Sequence, residues 1–162
     1  SKNSDATIYL ALQNKIIIGD THKSFTRIQT MAHECLHSIQ NKRMLIFNFV
    51  FSNIYLLFYF ISIVFLVLKK VTDKMLLANI FLILSFIYYV VKIYLENDAM
   101  IKAEYLAKEY MEEQKISTQE EIEKMVIGFK NINRPCIKGT NANIFIKIMI
   151  KLIIFSVLAL IF

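Results

Sequence analysis

The sequence is poor in residues that interrupt helices and in residues that cross-link small folds. It has one Pro, three Gly, two Cys and no Trp among 162 residues. Because Pro and Gly are the main helix breakers, their scarcity favours long helices. Cys35 and Cys136 lie far apart and outside any CxxC spacing, which excludes a disulfide framework. Both are expected as free thiols, with Cys35 buried.

The sequence also lacks the polar balance of a soluble domain. Hydrophobic residues make up 56% of the chain, a composition typical of membrane proteins. The net charge is +6, and many of the basic residues flank apolar runs rather than forming a basic face on a soluble module. A nucleic-acid-binding function is therefore excluded, and the basic residues are expected to set orientation in a lipid bilayer and to meet anionic lipid.

Three apolar runs are long enough to cross a bilayer: residues 44–68, 75–95 and 144–162. The charges inside them are three lysines, Lys92, Lys147 and Lys151. Such long side chains can extend toward lipid phosphates. A short polar turn separates the first two runs, which predicts a transmembrane hairpin. The predicted fold class is mainly α, an integral membrane helical bundle with about three transmembrane helices in a single domain over residues 1–162.

The most informative motif is His33-Glu34-x-x-His37, in a helix predicted over residues 24–42. Two histidines four residues apart on a helix lie on one face and can bind one Zn²⁺. Glu34 projects beside such a metal, where it can take a proton from a zinc-activated water and pass it to a leaving amine. The alternative is a surface helix that carries two histidines by chance. His22, before this helix, is expected to be exposed rather than a ligand.

A catalytic zinc held by two histidines needs a third protein ligand. The predicted transmembrane hairpin returns the chain to the side of the membrane that holds His33 and His37, and the first acid to follow it is Glu96. Glu96 is therefore the candidate third ligand. Asp98, two residues further on, is expected to orient a ligand histidine. The alternative is that both are ordinary interfacial acids.

The remaining segments predict small elements around this centre. Residues 7–18 predict a β-hairpin. It either supplies an edge strand that pairs with an extended peptide substrate or only packs against the histidine helix. Residues 96–131 predict amphipathic surface helices. Residues 128–143 contain Pro135, Gly139 and several Asn, which predicts a loop or a broken helix.

The distribution of basic residues predicts orientation. The flanks on the histidine side carry Lys42, Arg43, Lys92, Lys138, Lys147 and Lys151. The opposite side carries Lys69, Lys70 and Lys74. The positive-inside tendency therefore predicts a multi-pass protein of the cell membrane with its active site on the cytoplasmic face.

In the order of its motifs the chain resembles the YugP-type neutral zinc metallopeptidases, small bacterial membrane proteins with gluzincin-like HExxH sites. The resemblance rests on Ala32-His33-Glu34-x-x-His37-x-Ile39-Gln40, two spans, and then Glu96-x-Asp98-Ala99. It implies one zinc ion bound by His33, His37 and Glu96, with Glu34 as base. Leu36 replaces a family Gly, Ser38 an Ala, and Met100 a Ser, and the family's small-residue stretch before the last helix is largely missing.

Taken together, these features predict a membrane-bound zinc metalloendopeptidase that acts on a peptide or membrane-protein substrate. The alternative is a non-catalytic zinc-binding membrane protein, either a metal sensor or an inactive peptidase relative that binds partners. Metal content measured together with peptide turnover separates the two. An ion or metal transporter is disfavoured, because the spans contain no acid or histidine.

Overall fold

A computed structural model describes residues 7–10, 12–19 and 26–162. The elements, in chain order, are β1 (Ile8–Leu10), β2 (Lys15–Ile17), α1 (Arg27–Ile39), α2 (Lys42–Val67), α3 (Lys74–Glu113) and α4 (Gln119–Ile161). The mainly helical fold and the small antiparallel hairpin predicted from the sequence are confirmed. The predicted helix start near Ser24 and the exposure of His22 fall outside the described residues.

The hairpin is short and tightly closed. β1 pairs antiparallel with β2, with Tyr9 opposite Ile16. Asn14 adopts the left-handed conformation (φ 47°) that the turn needs, and its side chain accepts a hydrogen bond from the Tyr9 hydroxyl at 2.9 Å. Asn tolerates this conformation better than most residues, so the local sequence favours the turn.

Helix α1 is shorter than the predicted 24–42 segment at its C-terminal end. Gln40 leaves the helix with ψ 161°, and α2 begins two residues later at Lys42. The Asn41 side chain accepts the backbone N–H of Arg43 at 2.9 Å, which satisfies a free donor in the first turn of α2. Residues 40 and 41 therefore separate two helices, and Lys42 belongs to the second of them.

The spacing of apolar residues by three and four predicts one apolar face of α1 that includes Ala32, Cys35, Leu36 and Ile39. In the structure Ala32 and Leu36 are buried, but Ile39 is exposed and Cys35 is an exposed free thiol. The prediction that Cys35 is buried was wrong. Polar Gln29 and Glu34 are buried instead, because the inner face of the helix is shared with the site described below.

Three helices, α2, α3 and α4, are long and apolar enough to cross a membrane. Helix α2 ends at a left-handed Lys69 (φ 53°), where Lys69 N–H bonds to Leu66 O and Lys70 N–H bonds to Phe65 O. This pair of bonds is the Schellman pattern that ends helices. Asp73 then accepts the Leu76 N–H at 2.8 Å, which caps α3.

Helix α3 runs without a break through the predicted boundary at residue 96. Its 40 residues extend about 60 Å, so one continuous helix carries both the apolar run and Glu96. It ends like α2, at a left-handed Lys115 (φ 49°). Thr118 and Glu121 then form a capping box at the start of α4.

The prediction of a loop or broken helix over residues 128–143 was wrong. Helix α4 continues through it for 43 residues, with Pro135 inside. An internal proline removes one helical hydrogen bond, a cost that packing on its N-terminal side offsets. Phe129 is buried, and buried Asn133 donates to Met100 O and to Glu104 Oε1 of α3, at 2.7 Å each.

The chain divides into two compact units. The first comprises Ser1–Ile46 and Tyr94–Gly139, and the second comprises Phe47–Ile93 and Thr140–Phe162. The core of the first unit joins α1, α3 and α4 through four alanines and four larger apolar side chains, namely Ala32, Leu36, Ala99, Ala103, Ala107, Met111, Ile122 and Phe129. Buried alanines on α3 permit close approach of neighbouring helices, which brings the polar side chains of α1 and α3 within reach of one another.

The core of the second unit is aromatic. Phe81 is fully buried, and its ring lies 5.3–5.5 Å from the rings of Tyr55, Tyr59 and Phe155. The Tyr55 hydroxyl lies 3.0 Å from Ser85 Oγ, so its polar atom is satisfied inside the apolar unit.

Candidate metal centre

Two histidines of α1 and one glutamate of α3 converge in the first unit. His33 Nε2 and His37 Nε2 lie 3.1 Å apart, and Glu96 Oε2 lies 3.8 Å from the first and 3.7 Å from the second. Among the residues that the structure describes, these three form a group that can hold a metal ion, with all ligand atoms within 4.8 Å of one another. The side chains are partly exposed, which leaves the centre open to small molecules.

Helix geometry explains the histidine pair. Residues four apart in α1 lie one above the other, and the two rings meet edge to face with centroids 4.6 Å apart. The carboxylate arrives from a residue 59 positions after His37, at the end of the long apolar stretch of α3. The sequence predictions for His33, His37 and Glu96 are thus brought together in one place.

The three ligand atoms are close enough together to share one metal ion. Bonds of about 2.0–2.1 Å in tetrahedral geometry separate neighbouring ligand atoms by about 3.4 Å. The observed separations of 3.1, 3.7 and 3.8 Å lie on both sides of that value. Two imidazole nitrogens and one carboxylate oxygen would occupy three corners and leave the fourth for a further ligand.

Gln40 fixes the proton of His37 on the ring nitrogen that faces away from the centre. Its amide Nε2 donates to Leu95 O at 2.8 Å and to Asp98 Oδ2 at 3.1 Å, so its Oε1 is the atom turned to His37. His37 Nδ1 lies 2.9 Å from that oxygen and must donate to it. In neutral His37 the Nε2 lone pair therefore points to His33 and Glu96, as metal binding requires.

Asp98 acts on this arrangement through Gln40. Its carboxylate accepts from the Gln40 amide and pairs with Lys102, one turn along α3, at 2.5 Å. The hydrogen bond from Lys102 is the main cause that lowers the pKa of Asp98, so the carboxylate stays ionised as an acceptor. The Gln40 side chain thus lies between Asp98 and His37 and contacts both, and the orienting role of Asp98 stays a prediction.

Glu34 is buried beside the centre. One carboxylate oxygen accepts the backbone N–H of Tyr9 in β1 at 2.6 Å. Burial raises the pKa of Glu34, and the charge of Glu96 adds to the rise, while the Tyr9 hydrogen bond and His37 act against it. A carboxylate whose pKa is raised by burial is suited to receive and return a proton near neutral pH.

The electrostatic field at the centre favours positive charge. Burial alone lowers the pKa of His37, but its bonds to Glu96 and Gln40 and the charges of Glu96 and Glu34 outweigh burial, so the pKa rises. The field that stabilises a protonated imidazole also stabilises a metal cation at the same place.

Sequence reasoning missed two participants as site residues. Gln40 lies three residues after His37, a spacing that allows contact on one side of a helix and so signals a possible partner. Tyr9 contributes only its backbone N–H, which leaves no trace in the residue type. Of the departures from the YugP-type pattern, Leu36 packs into the core of the first unit, and Ser38 donates to Cys35 O at 2.6 Å.

No protein-family model, no curated protein and no solved structure matches this chain. The likeness to the YugP-type peptidases therefore remains a prediction from the motifs.

Proposed function

We propose that this protein is a multi-pass membrane zinc metallopeptidase that hydrolyses peptide bonds. The observation that carries the proposal is the convergence of His33, His37 and Glu96 beside buried Glu34. Two histidines and one glutamate, with a fourth position open, are the ligand set of catalytic zinc sites in peptidases.

Each residue has a distinct role in this proposal. His33, His37 and Glu96 hold the ion. A bound zinc ion supplies a Lewis acid that makes water nucleophilic near neutral pH and polarises a peptide carbonyl. Glu34 accepts the proton of the attacking water on its carboxylate and returns it to the leaving amine. Gln40 keeps the His37 proton on Nδ1, and Asp98 holds Gln40 in place.

The β-hairpin is proposed as the wall against which a peptide substrate lies. Strand β1 directs the N–H of Tyr9 at Glu34, which sets this strand directly beside the proposed base. A peptide in extended conformation can pair with such a strand. A loosely structured peptide or an exposed segment of a membrane protein is the substrate class that an open site of this kind accepts.

The same proposal puts the site at the surface of the cell membrane, on its cytoplasmic face. The three apolar helices support the membrane location. The excess of Lys and Arg on the histidine side of the spans supports the cytoplasmic orientation. Helix α1, with a mixed polar and apolar surface, would then lie at the bilayer surface.

Replacing Glu34 with Gln tests the proposed chemistry. Gln keeps the shape and the acceptor for Tyr9 N–H but does not take up a proton, so peptide cleavage should fall by about 10²–10⁴-fold. Zinc content should remain near that of the unaltered protein, because Glu34 is not a ligand. The measurements are metal analysis and turnover of a peptide library by protein purified in detergent, with and without chelator.

The matched control is Glu109→Gln, which removes an exposed carboxylate of α3. It should leave both zinc content and turnover unchanged. Full activity in the Glu34→Gln protein would exclude the mechanism.

One observation favours a second candidate, a non-catalytic zinc-binding protein that acts as a metal sensor or a partner-binding module. The Tyr9 N–H holds one oxygen of Glu34 at 2.6 Å, which restrains the carboxylate that a peptidase must use. Zinc binding by the unaltered protein without any peptide turnover would select this candidate.

A further inference from the structure

The second unit contains a cavity that combines positive charge with apolar walls. Its volume is about 320 Å³. It lies between α3 and α4 and is lined by Tyr88 and Lys92 of α3 and by Lys147, Lys151 and isoleucines of α4. Three of its seven lining residues are lysines, and none is acidic.

Lys151 is held in an unusual place for a cation. It lies within the third apolar run, seven residues after buried Ile144. Its Nζ lies 4.8 Å from the ring centroid of Tyr55, 5.9 Å from that of Tyr59 and 6.0 Å from that of Tyr88. Aromatic faces attract a cation in this range, so the three tyrosines fix the ammonium group instead of letting it extend freely to a bilayer surface.

The second unit has little negative charge of its own to balance Lys147 and Lys151. All of its residues are described, and its sequence contains one side-chain carboxylate, that of Asp73. That carboxylate caps the first turn of α3 at Leu76 N–H. Tyr88, the nearest lining residue along α3, lies about 22 Å further along the helix axis, at about 1.5 Å per residue. The positive charge of Lys147 and Lys151 is therefore not neutralised from within the unit.

We propose that this cavity binds the phosphate group of an anionic phospholipid, with Lys147 and Lys151 as its main contacts. Charge complementarity favours a phosphate, and the isoleucine walls favour the acyl chain that a soluble anion lacks. The inference rests on the membrane location in the proposed function but is independent of the peptidase chemistry. Resistance to extraction by alkaline carbonate tests that location separately.

The experiment is native mass spectrometry of the full chain in neutral detergent. It compares phosphatidylglycerol with phosphatidylcholine carrying the same acyl chains. We expect one phosphatidylglycerol molecule to bind to each protein chain, and to bind more tightly than phosphatidylcholine does. Lys147→Gln and Lys151→Gln should each weaken that binding about fivefold, the effect of about one charge contact with an anionic lipid. Lys147→Arg should retain it.

The matched control is Lys138→Gln, which removes an exposed charge from the same helix outside the cavity. It should leave lipid binding unchanged. Because Lys147 is exposed, its substitution keeps the test decisive even if the Lys151 variant does not fold.

Three results would overturn the inference. The first is equal binding of the two lipids, or equal losses in the Lys147→Gln and Lys138→Gln proteins. The second is displacement of the lipid by inorganic phosphate at the same concentration, which would identify a site for soluble anions. The third is tighter, Lys151-dependent binding of a transmembrane peptide that carries an aspartate, which would identify a partner helix as the occupant.

Discussion

Replacing Gln40 with Leu should weaken metal binding although Gln40 is not a ligand. Leucine has a similar size but offers neither the acceptor for His37 Nδ1 nor the donor for Leu95 O and Asp98. Without the acceptor, the imidazole can rotate and can carry its proton on Nε2, the nitrogen that must face the metal. Both changes act against binding.

The structure sets the size of the effect. The bond between His37 Nδ1 and Gln40 Oε1 measures 2.9 Å and joins two partly buried groups. Loss of a partner that orients a ligand histidine lowers metal affinity by about 10–100-fold. That range corresponds to about 1.4–2.7 kcal/mol of binding free energy. Loss of a ligand such as Glu96 should cost more, because it removes a metal contact itself.

The assay is competition for Zn²⁺ against a chromophoric chelator, with protein purified in detergent. Gln40→Glu restores an oxygen for His37 Nδ1 and should bind zinc more tightly than Gln40→Leu. The Gln40→Glu protein should nevertheless unfold at a lower temperature than the unaltered protein, because one oxygen of the new carboxylate faces the Asp98 carboxylate and the Leu95 carbonyl oxygen, both of which repel it. Gln119→Leu, which alters an exposed glutamine bonded to Glu112, is the control. Unchanged zinc affinity in Gln40→Leu would refute the orienting role of Gln40.

Three further predictions concern stability, pH and orientation. Asn133→Leu removes two 2.7 Å hydrogen bonds from a buried residue to α3 and should lower the unfolding free energy by about 1–3 kcal/mol, whereas Asn131→Leu, at an exposed position, should not; thermal unfolding measures both. Hydrogen bonds from Ser117 and then from Thr118 lower the pKa of Glu121 below its ordinary value of 4.5, so its contribution to the start of α4 is present above that pH and is lost as the pH falls through the folded-state pKa. Hydrogen exchange in that turn should show this acid dependence, and Glu121→Gln should abolish it. In a Cys136→Ser protein, exposed Cys35 should react with a membrane-impermeant maleimide only after right-side-out vesicles are opened; labelling of intact vesicles would contradict the cytoplasmic orientation.

The local pattern of the sequence was enough for several features. Long uncharged runs predicted three apolar helices, because length and composition alone decide whether a segment can cross a bilayer. The spacing of His33 and His37 placed two imidazoles on one side of a helix, because α-helical periodicity is a local property. The short β-rich runs around Asn14 likewise predicted the hairpin.

The tertiary structure decided what depends on contacts between distant residues. Cys35 is exposed and Glu34 buried because α1 turns its polar side inward to α3 and β1, a rotation that local hydrophobicity does not encode. Helix α4 passes through Pro135 because Asn133 and its neighbours pack against α3. Gln40 connects His37 to the carboxylate of Asp98, which lies 58 positions after Gln40, so no local sequence pattern could predict this contact. The sequence by itself determined which segments are apolar enough to cross a membrane and which residue types carry chemistry. Long-range packing determined where a helix continues, which way those residues face and what holds them.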